Sequence, residues 1–324
     1  MRTAILGAGL TGAYLYRLLS GQGHQVEVFG KDPGTRCGIS PCAWGTSRGF
    51  AGLVKETGLD ASAYSLSHSD YVCIDGLRLK ADLITFDKQR LIEDLLAGAR
   101  INRSQPGVGL YERVIDATGV SRAFLPPIED DFTLSCTQFR VRTDETLDNR
   151  IALGGIGCAW CFPLSNHEYH IGCGSFFSDP LERLKVLGWI GGNGSQGKII
   201  CGCRGEIRLA SPHASLPFVI RKKEYEVWGV GEAIGCVGPL AGDGIVPGLE
   251  SARLLLEWWD DPEGYTRAVL REFGWMKKER AVIDKLRRGE KPGLGSAWVL
   301  KKNSKRMGMQ VGFREASILL RHLS

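Results

Sequence analysis

The chain has 324 residues, 43% of them hydrophobic and 24% charged, with a formal net charge of +5. Those proportions suit a globular protein of roughly two domains of about 150 residues each, and no run approaches the ~18–20 apolar residues that a membrane span needs. The first six residues form a short apolar stretch that runs straight into glycines, unlike a signal peptide, so a cytoplasmic chain is expected.

In chain order, residues 2–6 predict a buried strand, followed by Gly7-Ala-Gly9-Leu-Thr11-Gly12, a helix through Leu19 and a second strand from Gln25 to Phe29. This is a βαβ opening of the Rossmann kind. Tyr71 to Ile84 alternates like a hairpin, Phe86 to Ala99 has helical periodicity, and Arg113 to Asp116 is a short strand ending in Ala117-Thr118-Gly119. From Asp131 to Ile220 the text turns to short strands, glycines and aromatics, with one helix near Pro180 to Trp189. Val227 to Val230 returns to a buried strand, followed by a glycine-rich loop, a helix from Gly244 to Trp258 and a charged helical segment from Pro262 to Arg288. The expected class is α/β. A Rossmann-like nucleotide-binding domain is assembled from residues 1–69, 85–130 and 221–275, a β-sheet-rich catalytic domain is inserted as 70–84 and 131–220, and residues 276–324 form a C-terminal helical segment.

Ten cysteines are scattered through apolar or glycine-rich text. Cys158-x-x-Cys161 and Cys201-x-Cys203 each supply half of a metal site, but no second pair completes four ligands, so no metal is expected. Reduced, mostly buried thiols are the reading. The charge is uneven: residues 271–324 hold 14 Lys and Arg against 5 Asp and Glu, a net +9, which leaves −4 on the remainder. Such a segment can meet nucleic acid, an anionic membrane surface or an acidic protein, or form a solvated helix face. Nucleic acid is not an expected partner.

Gly7-x-Gly9-x-x-Gly12 directly after a strand allows a tight turn, close approach of a pyrophosphate to the backbone, and an anion facing a helix N-terminus. The acid that usually ends the second strand and accepts from the adenosine ribose falls at Gly30, with Asp32 the candidate substitute. Far downstream, Gly231-Glu232-Ala-Ile-Gly235-Cys-Val-Gly-Pro239-Leu-Ala-Gly242-Asp-Gly244-Ile245 resembles the Gly-Asp-Ala-Ala-Gly…Pro…Gly-x-Gly-Ile stretch of flavoprotein hydroxylases and geranylgeranyl reductases, with Glu232 replacing Asp. Asp116-Ala117-Thr118-Gly119 is similar to the Ala-Thr-Gly turn that crosses near FAD in those proteins. Cys158-Ala-Trp160-Cys-Phe162-Pro163, then Gly172-Cys-Gly174, resembles the Tyr-x-Trp-x-Phe-Pro…Gly-x-Gly signature of geranylgeranyl reductases, with Cys158 where Tyr is usual.

The resemblance to that family spans most of residues 1–275. It implies an FAD cofactor bound by Gly7, Gly9, Thr11, Gly12, Ala117, Thr118, Gly119, Glu232, Gly235, Pro239, Gly242, Gly244 and Ile245. Arg36-Cys37-Gly38 looks like the segment that lies over the isoalloxazine and places a cysteine near the substrate, and Lys88 or Arg90 takes the place of a basic residue on the FAD phosphates or adenine. Trp160, Phe162 and Pro163, with Gly172 and Gly174, are implied to line a prenyl tunnel that ends at Cys37. The implied activity is reduction of isolated C=C bonds in a geranylgeranyl diphosphate or an archaeal-type prenyl lipid, with electrons from ferredoxin, a reduced deazaflavin or NADPH. An FAD monooxygenase of the same fold is the rival enzyme. A degenerate flavin- or prenyl-lipid-binding protein without turnover is the rival from another class. His167 and His170, near the signature, are candidate acids, though lone histidines there are more often satisfied structural residues.

Overall fold

The computed structural model describes residues 1–31, 42–47, 49–191 and 197–323. Asp32, Arg36, Cys37 and Gly38 therefore lie outside the described residues.

The chain opens as β1 (Arg2–Leu6), α1 (Leu10–Gly21) and β2 (Gln25–Phe29), then β3 (Gly45–Ser47) and α2 (Gly49–Glu56). A hairpin of β4 (Ser65–Ile74) and β5 (Leu77–Phe86) leads to α3 (Lys88–Leu95), β6 (Ile101–Asn102) and β7 (Arg113–Asp116). The middle of the chain is β8 (Thr133–Arg142), β9 (Arg150–Leu153), β10 (Cys158–Pro163), β11 (Glu168–Ser175), α4 (Pro180–Val186) and β12 (Lys198–Arg208). The last third is β13 (Val219–Arg221), β14 (Glu226–Gly229), α5 (Ile245–Glu257), α6 (Pro262–Glu272), α7 (Gly274–Arg287), α8 (Leu294–Asn303) and α9 (Phe313–Leu323).

Among the described residues, these strands form two sheets. The first has the order β13-β14-β7-β1-β2-β6 and the second β12-β8-β11-β10-β9-β4-β5-β3. In the first sheet β1 pairs in parallel with β2 and with β7, and its Ala4, Ile5 and Leu6 are buried. A strand covered on both faces reads as a continuous apolar run, as residues 4–6 do. The α/β class and the split nucleotide-binding unit are as the sequence suggests.

The second sheet reaches further into the N-terminal half than residues 70–84. β3 and the first half of β4 belong to it, and β4 pairs in parallel with β9 through Cys73 and Arg150. The hairpin turns on Asp75 and Gly76, at φ +47° and +81°, the left-handed pair that a two-residue turn between twisted strands requires. Irregular pairing between Ser65 and Ser67, and again between Ser69 and Tyr71, breaks the alternation there, so the first half of β4 is not legible as a strand. α3 is shorter than the Phe86–Ala99 periodicity. Asp87 caps it by accepting from the Arg90 N–H at 3.1 Å, Phe86 ends β5 instead, and Gly98 at φ +84° lies beyond it. The charged segment after residue 262 is two helices, broken at Phe273.

The C-terminal segment is a structural layer. Val282, Ile283 and Leu286 of α7, Ala297 of α8, and Leu319, Leu320 and Leu323 of α9 are buried in one cluster with Val72, Ile74 and Leu79 of the second sheet. The stretch before α9 runs beside β5: Asp82 N–H donates to the Gly308 carbonyl at 2.7 Å, and Gln310 N–H donates to the Lys80 carbonyl at 2.9 Å. The apolar face of α9 is spent on this sheet. Among the described residues, no helix is long and apolar enough to cross a membrane.

Candidate functional site

One cavity of about 1430 Å³ joins the two sheets. Its first compartment is a groove floored by the turn after β1. Gly7 sits at φ +124°, and a Cβ on it would overlap the Ala117 carbonyl; one on Gly12 would overlap the Gly7 carbonyl. Those two glycines hold strand, helix and the Ala117 turn together. Gly9 differs, because a Cβ there would meet no protein atom within 4 Å. It faces open space, so its bare backbone leaves room for a ligand. Gly9 also caps α1 without a side-chain hydrogen bond, which leaves the first-turn N–H groups turned to the groove. Thr11 and Gly9 both line the cavity.

The ribose end departs from the usual pattern for a steric reason. A Cβ on Gly30 would lie 2.7 Å from Ala8 Cβ and 3.3 Å from Ile101 Cγ2, so no carboxylate fits there. Lys31, Arg103, Ser104 and Gln105 surround that end of the groove instead. Lys88 lines it too. Arg90, two residues on and turned about 200° around the helix, does not: its Nη1 donates to the Ala63 carbonyl at 3.2 Å and its guanidinium lies 5.5 Å from the Tyr64 ring. Of the two basic candidates, only Lys88 faces the groove.

The Ala117-Thr118-Gly119 turn is pinned by a residue that motif reading passes over. Asp116 is wholly buried and accepts from the Thr118 N–H at 3.1 Å and the Thr118 hydroxyl at 2.6 Å. Its second oxygen accepts from the Phe124 and Leu125 N–H groups at 2.8 and 3.2 Å. Glu232 stands opposite. Its Oε1 accepts from the Arg208 N–H at 2.6 Å, while a Cβ on Gly119 would lie 3.3 Å from Oε2. Burial pushes the Glu232 carboxyl above its usual range. One carboxylate oxygen is thus held by the fold, and the residue lines the cavity.

Pro239, Gly242, Gly244 and Ile245 line the junction between the compartments, at the N-terminus of α5. Gly235 does not line it. At φ +74° it packs where a Cβ would meet Ser215 Oγ at 2.5 Å, so its role is to turn the loop. Asp243, inside the glycine motif but not singled out in the sequence, points a carboxyl into the cavity wall. Its Oδ1 accepts from the Ile245 N–H at 3.0 Å, and burial pushes its pKa up to about 6. Behind it the buried Glu279 accepts from the Leu240 N–H at 3.2 Å and from Asn303 Nδ2 at 2.9 Å, its pKa pushed by burial to about 7.

The second compartment is apolar, lined by Trp160, Phe162, Ile151, Ile156, Leu209 and Met309, with Leu323 from α9. Trp160 Nε1 donates to Gln138 Oε1 at 3.1 Å, so the buried indole is satisfied. Gly172 lies directly across the strand pair from Trp160, and a Cβ there would sit 2.5 Å from Trp160 Cε2. Gly174 faces Cys158 in the same register and leaves room for Leu134 and Cys136. The Pro163 carbonyl accepts from the Thr85 hydroxyl at 2.7 Å, tying the end of β10 to β5. Of the signature's two glycines, Gly172 is thus the seat of the Trp160 ring and Gly174 that of Leu134 and Cys136.

Cys158 and Cys161 do not form half a metal site. Three residues apart on a strand, they face opposite sides: Cys158 lines the cavity and Cys161 is buried in a separate core. Burial pushes the Cys158 thiol up to about 12, which keeps it neutral. His170 is buried with Nδ1 3.4 Å from the Ala43 carbonyl and edge-on to Trp44; burial lowers its pKa to about 4. It is a neutral core residue, and His167 occupies a turn at φ +57°.

No protein-family model matches the chain. It is 24% identical over 333 residues to an uncharacterised protein of Methanocaldococcus jannaschii, covering 88% of this chain and 90% of that protein. Among solved structures, a geranylgeranyl bacteriochlorophyll reductase-like protein of Thermoplasma acidophilum superposes with a TM-score of 0.69 at 16% identity, covering 88% of this chain and 87% of the other. A flavin-dependent halogenase of Xanthomonas campestris gives 0.65 at 12% identity, with 99% and 94% covered. The p-nitrophenol 4-monooxygenase of Pseudomonas putida gives 0.62 at 13% identity, with 98% and 96% covered. The fold is the one these flavin-dependent oxidoreductases share.

Proposed function

We propose that this chain, built on the fold of the FAD-dependent oxidoreductases, reduces isolated C=C bonds of long isoprenoid chains carried as prenyl diphosphates or archaeal-type lipids. One observation carries the reading: a glycine-walled dinucleotide groove opens, past Glu232 and Asp243, into an apolar compartment walled by Trp160 and Phe162. The groove suits FAD by the chemistry of its walls. The uncapped start of α1 and Lys88 take the pyrophosphate, and Glu232 accepts from the ribityl hydroxyls. Adenosine is held without the usual carboxylate, since Gly30 leaves no room for one.

Bound in reduced form, FAD would supply a hydride to one carbon of the double bond, and a proton must reach the other to complete the saturated product. An isolated alkene offers no carbonyl to take up the developing charge, so the chain must exclude water and fix the bond's position. The flat indole of Trp160, seated on Gly172, and the aliphatic walls around it perform that task. Each substrate methylene transferred from water into them contributes about 0.8 kcal/mol. Asp243 holds a titratable proton at the junction. The sequence carries no second dinucleotide fingerprint, which favours an electron donor that docks transiently over a resident NADPH.

The monooxygenase reading is supported by the solved monooxygenase and halogenase of this fold. The two separate on oxygen. The protein is reduced anaerobically and given geranylgeranyl diphosphate; flavin reoxidation with a product heavier by two hydrogens per bond supports the reductase. A requirement for oxygen and a hydroxylated product supports the monooxygenase. Bound flavin with neither product leaves a binding protein.

A further inference from the structure

The C-terminal layer has two faces of opposite character. Inward, Ile283 of α7, with Met307, Met309 and Leu323, lines the apolar compartment. Outward, Lys277, Lys278, Lys301, Lys302, Lys305 and Arg306 are all exposed. Neighbouring Arg280, Arg287 and Arg288 are neutralised by Asp130, Asp284 and Glu290. The six outward cations make no ion pair among the described residues.

Apolar side chains stand among these cations. Leu294 is 74% exposed and Trp298 48%. On α8 the positions 294, 298, 301 and 302 recur at helical spacing, so Leu294, Trp298 and two lysines share one side, and Lys305 and Arg306 follow in the turn after it. The register is bound together in space: Lys302 Nζ lies 5.0 Å and Lys278 Nζ 6.0 Å from the Trp298 ring, and the Arg306 guanidinium lies 5.2 Å from the Trp275 ring. The same helix turns Ala297 and Ser296 inward, so the exposed leucine and tryptophan are not its core face.

We infer that this outward face of α7, α8 and the turn after α8 is a docking surface for an anionic lipid bilayer, with Trp298 and Leu294 entering the headgroup region among the cations. Charge complementarity supplies the attraction, which acts within a Debye length of an anionic leaflet. An amphipathic indole with cations around it is the arrangement that settles at a lipid interface, where the exposed leucine also meets an apolar phase that a nucleic-acid backbone does not offer. The docked layer is also the wall of the apolar compartment, so the bilayer is brought against the side of the molecule behind which an alkyl chain is to be held. Docking itself does not depend on the flavin or on the reaction.

Sedimentation of the full chain with vesicles tests this directly. Phosphatidylglycerol–phosphatidylcholine vesicles should carry the protein down at low salt and release it at high salt, and pure phosphatidylcholine should leave it in solution. Lys301→Gln with Lys302→Gln should weaken partitioning about fivefold for each cation removed, and Leu294→Ala with Trp298→Ala should weaken it while leaving circular dichroism and flavin content unchanged. Equal recovery in solution with every vesicle, or partitioning that the four substitutions do not alter, overturns the proposal. So does binding to heparin or to an acidic protein with no binding to anionic vesicles, which would make the patch a protein-docking site. The salt and lipid dependence of the unaltered chain decides the matter even if a variant folds poorly.

Discussion

Trp160 on β10 lies across its strand pair on Gly172 of β11, so close that a methyl group on Gly172 would sit 2.5 Å from the indole Cε2. The aromatic wall of the apolar compartment is therefore held in place by the absence of one side chain. Gly172→Ala should displace the ring, break its hydrogen bond to Gln138 and cost roughly 1–3 kcal/mol of stability. Thermal unfolding reads the loss. Flavin content should stay near normal, because Gly172 does not line the groove; a variant with native stability and native turnover would remove Trp160 from the account.

Glu232 and Lys88 are expected to hold the cofactor. Glu232→Ala should weaken flavin retention by roughly 1.5–3 kcal/mol, as a charged acceptor is lost. Glu232→Gln, which still accepts from the Arg208 N–H, should weaken it less. Lys88→Ala should weaken retention, while Arg90→Ala should leave it unchanged, because Arg90 is turned to Ala63 and Tyr64. Flavin released on gel filtration at a fixed dilution gives the ranking. Equal effects at positions 88 and 90 would contradict the orientation.

Asp243 and Glu279 make stability fall as pH rises. Their pKa values, about 6 and about 7, lie above the ordinary carboxyl range, so between that range and the folded values the native state binds more protons than the unfolded one. The stabilising contribution is fully present below about pH 4 and is lost as pH rises through about 6 for Asp243 and about 7 for Glu279. Asp243→Asn should flatten the decline in melting temperature between about pH 4 and about 6, and Glu279→Gln that between about pH 4 and about 7. Glu279→Gln keeps an acceptor for Asn303 and so tests charge rather than the hydrogen bond. An unaltered pH profile in both variants would refute the assignment.

The parts legible in the sequence are those where a residue type answers to one local demand. Gly12 is required by its contact with the Gly7 carbonyl inside one strand–turn–helix, Gly7 by its own φ of +124°, and the Trp160–Gly172 pair by adjacent strands, so spacing exposes them; the Ala117 carbonyl that also closes on Gly7 comes from far along the chain. The steric exclusion at Gly30 comes first from Ala8 Cβ and then from Ile101, contacts made only once β1, β2 and β6 lie side by side, and so the sequence shows that the acid is missing but not why. Asp243 was written inside a recognisable motif, yet its perturbation comes from burial at the start of α5, against a layer of the chain that also contributes Glu279. The α9 pattern of Leu319, Leu320 and Leu323 is the same whether a helix rests on a sheet or on a bilayer; only the exposed face of β4 and β5 decides between them. The segment carrying Arg36, Cys37 and Gly38, where the resemblance puts the flavin face and the substrate cysteine, lies outside the described residues, and those roles stand as proposals.

The central claim is that the groove and the apolar compartment serve one reaction, and anaerobic turnover tests it most directly. The purified protein, its bound chromophore identified as FAD by mass, is reduced without oxygen and mixed with geranylgeranyl diphosphate while flavin absorbance is followed. The account predicts reoxidation on mixing, with a product two mass units heavier for each bond reduced, and loss of that reoxidation in Trp160→Ala at unchanged flavin content. Reoxidation that waits for oxygen and yields a product heavier by one oxygen atom would contradict it.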